Sequence, residues 1–280
     1  TKAGTPDNRN ARLERQRTMD FTLGGEHLFG ALQMDWHAGY ARATEERPNE
    51  RYIDFELKKQ KLDVDLSDER RPFAKPLDGY TMTLGNDFKL KELTEQQEDI
   101  VEQDLKIATN FKLPFKNGNK LKFGAKIVRK TKDKDIDFYE YTPLDKKAFM
   151  QNSLENITDQ TNSHLMPDSK YRAGLYASKE YTGSLNLNDP SLFEKEQIQE
   201  ELATNFNARE TVSSGYIRLD THLTRNIELT SGLRLEHTSL AYTGRSYDAD
   251  EDITTPTERK RSSYANFLPS LLLKWSVNDD

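Results

Sequence analysis

The chain has 280 residues, 41 Lys or Arg against 47 Asp or Glu, and a net charge of −6; 34% of its residues are hydrophobic and its mean hydropathy is −0.89. So small an apolar fraction excludes an ordinary globular core for a chain of this length, while 10% aromatic residues exclude full disorder. The slightly acidic, mixed charge excludes a broad cationic face for nucleic acid, the absence of cysteine excludes disulfides, thiolate-bound zinc and thiol catalysis, and no stretch approaches the roughly 20 apolar residues of a membrane helix.

In chain order, a polar opening run leads to seven segments of period-two alternation. The first sets Met19, Phe21 and Leu23 against Asp20 and Thr22, and the second sets Leu32, Met34, Trp36, Ala38 and Tyr40 against Gln33, Asp35 and His37. The third carries Leu105, Ile107, Phe111 and Leu113, and the fourth Leu121, Phe123, Ala125 and Ile127, with Asp, Asn, Gly and Lys between them. Then follow Ile217, Leu219 and Leu223; Ile227, Leu229, Leu233 and Leu235; and Leu271, Leu273, Trp275 and Val277. Successive strand residues point to opposite faces, so each segment is a strand with one apolar and one polar face.

The connections alternate in length. Short joins fall at 24–30, 114–119 (with the turn pair Asn117-Gly118) and 224–226; long polar ones fall at 44–97, 142–208 and 244–262. In an up-and-down antiparallel sheet this puts all tight turns at one end and all long loops at the other, as in transmembrane barrels. About 9–11 tilted residues cross the hydrocarbon layer, and only every second one must be apolar. The expected fold is therefore all-β: an antiparallel up-and-down meander of about seven strands, part of a transmembrane outer-membrane β-barrel, with long loops and one short helix. Residues 1–280 are expected to form a single partial barrel domain, an internal piece of a longer chain. The helix is expected over residues 191–206, where Leu192, Ile198, Leu202 and Phe206 recur near helical spacing, and residues 51–57 and 80–84 suggest a small hairpin arm.

Chemical motifs are few. The histidines at 27, 37, 164, 222 and 237 lack paired metal-ligand spacing. Asp248, Asp250 and Asp252 alternate like a calcium loop, but Ile253 and Arg259 stand where an EF-hand requires Gly and Glu, which leaves a plain acidic tip. No phosphate loop, dinucleotide fingerprint or nucleophile elbow occurs, so no cofactor and no enzyme activity are expected. Trp36, Tyr40, Phe111, Phe123 and Trp275 fit an interfacial aromatic girdle. Arg218, Asp220, Arg234 and Glu236 should face one another across a hairpin, as a salt-bridge ladder or a ligand passage. In the long second loop Tyr171, Tyr176 and Tyr181 could stack on a flat or sugar-like ligand, or simply pack the loop.

Gly232-Leu233-Arg234-Leu235-Glu236-His237-Thr238, reached from Ser214-Gly215-Tyr216-Ile217-Arg218-Leu219, resembles a strand pair of TonB-dependent receptors from Bacteroidetes-type bacteria. Tyr264-Ala265-Asn266-Phe267-Leu268-Pro269-Ser270-Leu271 is similar to that family's "F-LPSL" strand opening; Met34-Asp35-Trp36 through Pro48, and Lys122-Phe123-Gly124-Ala125-Lys126, look like further family segments. The resemblance runs from about Arg12 onward. It implies a barrel of roughly twenty-two strands with a plugged lumen, which imports a siderophore, cobalamin or glycan with energy relayed by TonB. Expected partners are outer-membrane lipid, that small-molecule or glycan ligand, and TonB and a plug domain through parts of the protein outside this chain. The alternative reading is a secreted or surface β-sandwich that binds carbohydrate or protein, in which the apolar faces would pack on each other; a surface hydrolase is a further rival.

Overall fold

The computed structural model describes residues 1–70, 72–77, 88–159 and 174–277. The seven alternating segments form seven long strands: β1 (Arg15–Phe29), β2 (Leu32–Glu56), β3 (Lys89–Pro114), β4 (Lys120–Pro143), β5 (Phe206–His222), β6 (Ile227–Thr243) and β7 (Lys260–Trp275). Each pairs with its sequence neighbour, giving an antiparallel meander in the order β1 to β7. The short turns at 114–119 and 224–226 are where expected, whereas residues 24–29, expected in the first join, are the end of β1, and the turn is only Gly30-Ala31. Gly118 has φ +82°, open to glycine without a Cβ clash, and its N–H reaches the Phe115 carbonyl at 3.1 Å.

Three larger features also differ from the sequence expectation. The strands β2, β3 and β4 run 25, 26 and 24 residues, far beyond their apolar repeats. Past residue 46 in β2 and before residue 99 in β3 the apolar positions are sparse, Ile53, Phe55, Leu90 and Leu93 standing among charged and polar neighbours, so the period-two signal weakens although the backbone groups still pair. Residues 51–56 are accordingly the end of β2 and not a hairpin arm; its supposed partner, 80–84, lies outside the described residues. The helix expected over 191–206 is also mostly absent: Phe193–Gln197 is a strand paired with β4, and only Gln199–Leu202 is helical. The edge of β4 at residues 139–143 offers unpaired backbone groups, and five ladder positions there outweigh a weak helical repeat. The loop helices are instead α1 (Lys146–Glu155), whose N-cap Asp145 accepts from the Ala148 N–H at 2.9 Å, and α2 (Lys179–Ser184), capped by Ser178.

The residues group into two compact units, Thr1–Glu14 with Arg47–Glu98 and Ile136–Glu201, and Arg15–Glu46 with Asp99–Asp135 and Leu202–Asp280. The first has a conventional core: Ile53, Leu93, Tyr141, Phe149, Ala177, Leu187 and Phe193 are buried together. In the second, which holds the strand repeats, the buried hydrophobic residues among those described are only Ala108 and Leu202. Its third connection is a small hairpin, Arg245–Asp248 on Ile253–Pro256. At the tip Asp248 Oδ1 accepts from the Asp250 N–H at 2.9 Å and Asp252 accepts from the Tyr247 hydroxyl at 3.0 Å, the geometry of a closed acidic turn.

Candidate functional site

Within the second unit the registers decide which side chains share a face. Phe123 lies opposite Ile217, Ile217 opposite Leu233, and Leu233 opposite Pro269; the next row down reads Leu121, Leu219, Ser231, Leu271. At the other edge of the sheet, Leu23 lies opposite Ala38 and Phe21 opposite Tyr40. Phe111 stacks on Phe123 at 4.9 Å between ring centres, which joins β3 to the same surface. All seven apolar repeats thus fall on one side of the sheet. That side is open: Phe21 is 65% exposed, Ile217 52%, Leu233 44%, Leu271 76% and Trp275 68%. A soluble sandwich would have covered these rows with a second sheet. Of the aromatic girdle residues, Trp36, Phe111, Phe123 and Trp275 stand on this side toward the short-turn end, and Tyr40 lies farther along, opposite Phe21. Trp36 Nε1–H donates to His27 Nε2 at 3.0 Å.

The opposite side is a polar network. The four charged residues expected to meet across the β5–β6 hairpin pair along their own strands instead: Arg218 with Asp220 at 2.6 Å, and Arg234 with Glu236 at 2.7 Å. The register sets Arg218 opposite Gly232 and Arg234 opposite Tyr216, so two-residue spacing along one strand is the shorter reach. Lys122 reaches Asp220 at 3.2 Å, and Arg234 donates to Ser214 Oγ at 2.6 Å. Farther across, the Tyr216 hydroxyl donates to Asn110 Oδ1 at 3.1 Å, and Asn110 Nδ2 donates to Asp35 at 2.7 Å. Tyr216 belongs to β5 and Asn110 to β3, and the strand between them presents Gly124. A Cβ on Gly124 would stand 2.8 Å from the Tyr216 ring and 2.5 Å from the Thr109 carbonyl oxygen. Gly124→Val is expected to displace Tyr216, break the chain of hydrogen bonds and cost about 1–3 kcal/mol; urea unfolding beside Gly124→Ala, which should cost less, is the check.

Among the described residues of the first unit four charged side chains are buried, Glu50, Arg51, Glu95 and Glu98, the last paired with Arg47 at 2.7 Å. Arg51, 6% exposed, donates through Nε to Glu95 at 2.6 Å and through Nη1 to the carbonyls of Gly183 and Leu185, each at 2.8 Å, at the C-terminal end of α2. Tyr141 packs in the same core, and burial together with the Glu95 charge pushes its hydroxyl up to about 12 despite the opposing Arg51. Glu50, 3% exposed, meets Lys2 at 2.9 Å and also pairs with Arg12 and the Tyr52 hydroxyl. Burial opposes its charge, but these partners prevail and hold the carboxyl below its ordinary range. Tyr52 is raised by burial and by its bond to Glu50, and Lys2 by its bonds to Tyr52 and Glu50.

The signs give a pH window. Below about 4.3, the ordinary glutamate value, unfolded chains take up a proton that folded Glu50 resists, so stability falls as pH drops through the depressed value. Lys2 and Tyr52 contribute fully below their ordinary values and lose that contribution as pH rises through the raised ones. In melts across pH, Glu50→Gln is expected to lower the midpoint at neutral pH and to flatten the acid limb.

Of the three loop tyrosines, Tyr181 is a packing residue: its hydroxyl bonds Ser153 Oγ at 2.9 Å and its ring lies 6.2 Å from that of Phe149. Tyr176 is 43% exposed in the short strand Leu175–Ala177, and Tyr171 lies outside the described residues. Sequence reading missed a cavity of about 1030 Å³ lined by the apolar Leu93 and Phe149, by Lys89, Lys91, Lys146 and Lys147, and by Glu92 and Glu140; Lys91 also pairs with Asp54 at 3.4 Å. Lys146-Lys147 directly after the Asp145 cap was its legible signal; Lys89 and Lys91 join only through the fold. No group of His, Asp or Glu suited to hold a metal occurs among the described residues.

Residues 155–280 match the model of a family described as outer membrane protein beta-barrel family. The chain is similar to the closed form of the ferric-catecholate import receptor Fiu of E. coli K12, with a TM-score of 0.51 and 13% identity over 99% of this chain and 32% of the receptor. For the open form of the same receptor the TM-score is 0.49 with 13% identity, over 95% of this chain and 34% of that one. The chain thus spans about a third of the length of the receptor it matches. No curated protein matches it in sequence. The structural likeness establishes a fold, the antiparallel meander of a receptor barrel, and with the family match it assigns the chain to the outer membrane.

Proposed function

We propose that residues 1–280 are one partial barrel domain of a TonB-dependent import receptor, of the type found in Bacteroidetes. The observation that carries this is the single exposed apolar side shared by seven registered strands, backed by a hydrogen-bonded polar side. In the reading offered, the apolar side meets lipid, and the polar side lines a lumen where Arg218, Arg234 and Glu236 hold register or guide a ligand. The long connections face the exterior, and ligand capture falls to the cavity rimmed by four lysines. Its size suits a compact ligand, and the excess of four lysines over Glu92 and Glu140 favours an anionic one. Fiu, the structural relative, is a ferric-catecholate import receptor, and an anionic siderophore is the ligand class favoured for this chain.

Two measurements on the complete protein test the proposal. It should require detergent for extraction from the outer-membrane fraction, and ligand uptake by cells carrying it should stop when TonB is deleted. Lys146→Glu with Lys147→Glu should then weaken uptake of an anionic siderophore while leaving membrane insertion intact. A water-soluble monomer, or uptake indifferent to TonB, would remove the basis for the assignment.

A further inference from the structure

The apolar side of the second unit ends abruptly toward the long connections, and the residues at that border are not random polar ones. Reading across β4, β5, β6 and β7, one registered row is Ile127, Ser213, His237, Ala265; the next is Arg129, Thr211, Ser239, Ser263; and the next is Thr131, Arg209, Ala241, Arg261. Three guanidiniums therefore surround a floor of hydroxyls and one alanine. With strands about 4.8 Å apart, Arg209 and Arg261 stand roughly 10 Å from each other across Ala241. None of the three takes part in an ion pair among the described residues, and Arg209 Nε is buried without a hydrogen-bond partner. The nearest carboxylate on that face, Asp133, is turned to Asn207.

Directly below lies a groove of about 470 Å³, lined by Ile107, Ala125, Ile127, Gly215, Leu235 and His237. It exists because Ser213 and Gly215 leave a gap between Ile127 and Leu235. Basic fork donors and hydroxyls stacked on an apolar groove match the two halves of one molecule: an anionic phosphate head group and an acyl chain. We infer that Arg129, Arg209 and Arg261, with Thr211, Ser239 and Ser263, seat the phosphate of an anionic lipid whose acyl chain lies in the groove over Gly215. This rests on the reading of that side as membrane-facing. It goes further in assigning a defined lipid site instead of a uniformly solvated rim.

The test uses the complete protein purified in a nonionic detergent and titrated with lipid A, with lipid A from which both phosphates have been removed, and with inorganic phosphate, bound lipid being counted by native mass spectrometry. Lipid A is expected to bind at one saturable site, and each Arg→Gln change at 129, 209 and 261 should weaken it by about tenfold. Gly215→Leu, where an added Cβ meets nothing closer than 3.8 Å, should fill the groove and weaken lipid A without changing the fold. Equal binding of the dephosphorylated lipid by the unaltered protein would overturn the phosphate seat, and inorganic phosphate binding as tightly as lipid A would overturn the lipid. Both results are separable from failure of the membrane reading, which would appear as a protein that needs no detergent at all.

Discussion

Arg51→Ala should destabilise the first unit by about 3–5 kcal/mol, the cost of stranding a buried charge. The guanidinium and its partner Glu95 are both buried, with side-chain exposures of 7% and 8%, so water cannot replace the lost pair. The same group also satisfies the Gly183 and Leu185 carbonyls where α2 ends, carbonyls that have no helical donor of their own. Arg51→Lys should recover only part of the loss, because one ammonium cannot reach a carboxylate and two carbonyls in the same plane. Arg51→Met with Glu95→Leu should be far milder than Arg51→Ala alone. Urea unfolding, with limited proteolysis around residues 179–201 as a local probe, measures all three. A loss below about 1 kcal/mol for Arg51→Ala would mean that solvent reaches Glu95 after all.

Leu233→Arg is expected to cost about 2–4 kcal/mol when the complete protein folds into a bilayer, and Ala265→Arg, near the band's border, about 0–1. Leu233 sits mid-band between Ile217 and Pro269, while Ala265 lies two rows from Arg261. Depth dependence is the distinguishing feature, since lipid penalises charge most at its midplane. Leu233→Ala is the companion experiment. It should cost well under the 2–5 kcal/mol typical of a packed core, because acyl chains flow into the space where a protein interior would keep a cavity. If Leu233→Ala proves as costly as a core truncation, and Leu233→Arg no worse than Ala265→Arg, the exposed rows are covered by protein and not by lipid.

How much of this was legible in the sequence differs between the two units for a physical reason. In the second unit, lipid on one side and water on the other set most apolar residues in period two, so the seven strands, their order and two of the three short turns could be read from residues such as Leu229, Leu233 and Leu235. In the first unit the apolar positions of β2, β3 and β4 are few, and the short alternation over residues 51–57 marks a strand without showing that it continues β2. There the strand extensions, the capture of Phe193–Gln197 by the β4 edge and the Arg51–Glu95 pair depend on partners tens of residues away. Interactions at that separation leave no local pattern. The cation rim of the cavity and the border rows of Arg129, Arg209 and Arg261 share the limitation, since each combines residues from separate strands or loops. The sequence by itself determined the strands, their two-faced character and the alternation of short and long connections, because each is written in neighbours one or two residues apart. Only the tertiary structure decided register, and register settles which charges pair along a strand, which glycine lies beneath a tyrosine, and which arginines stand in one row.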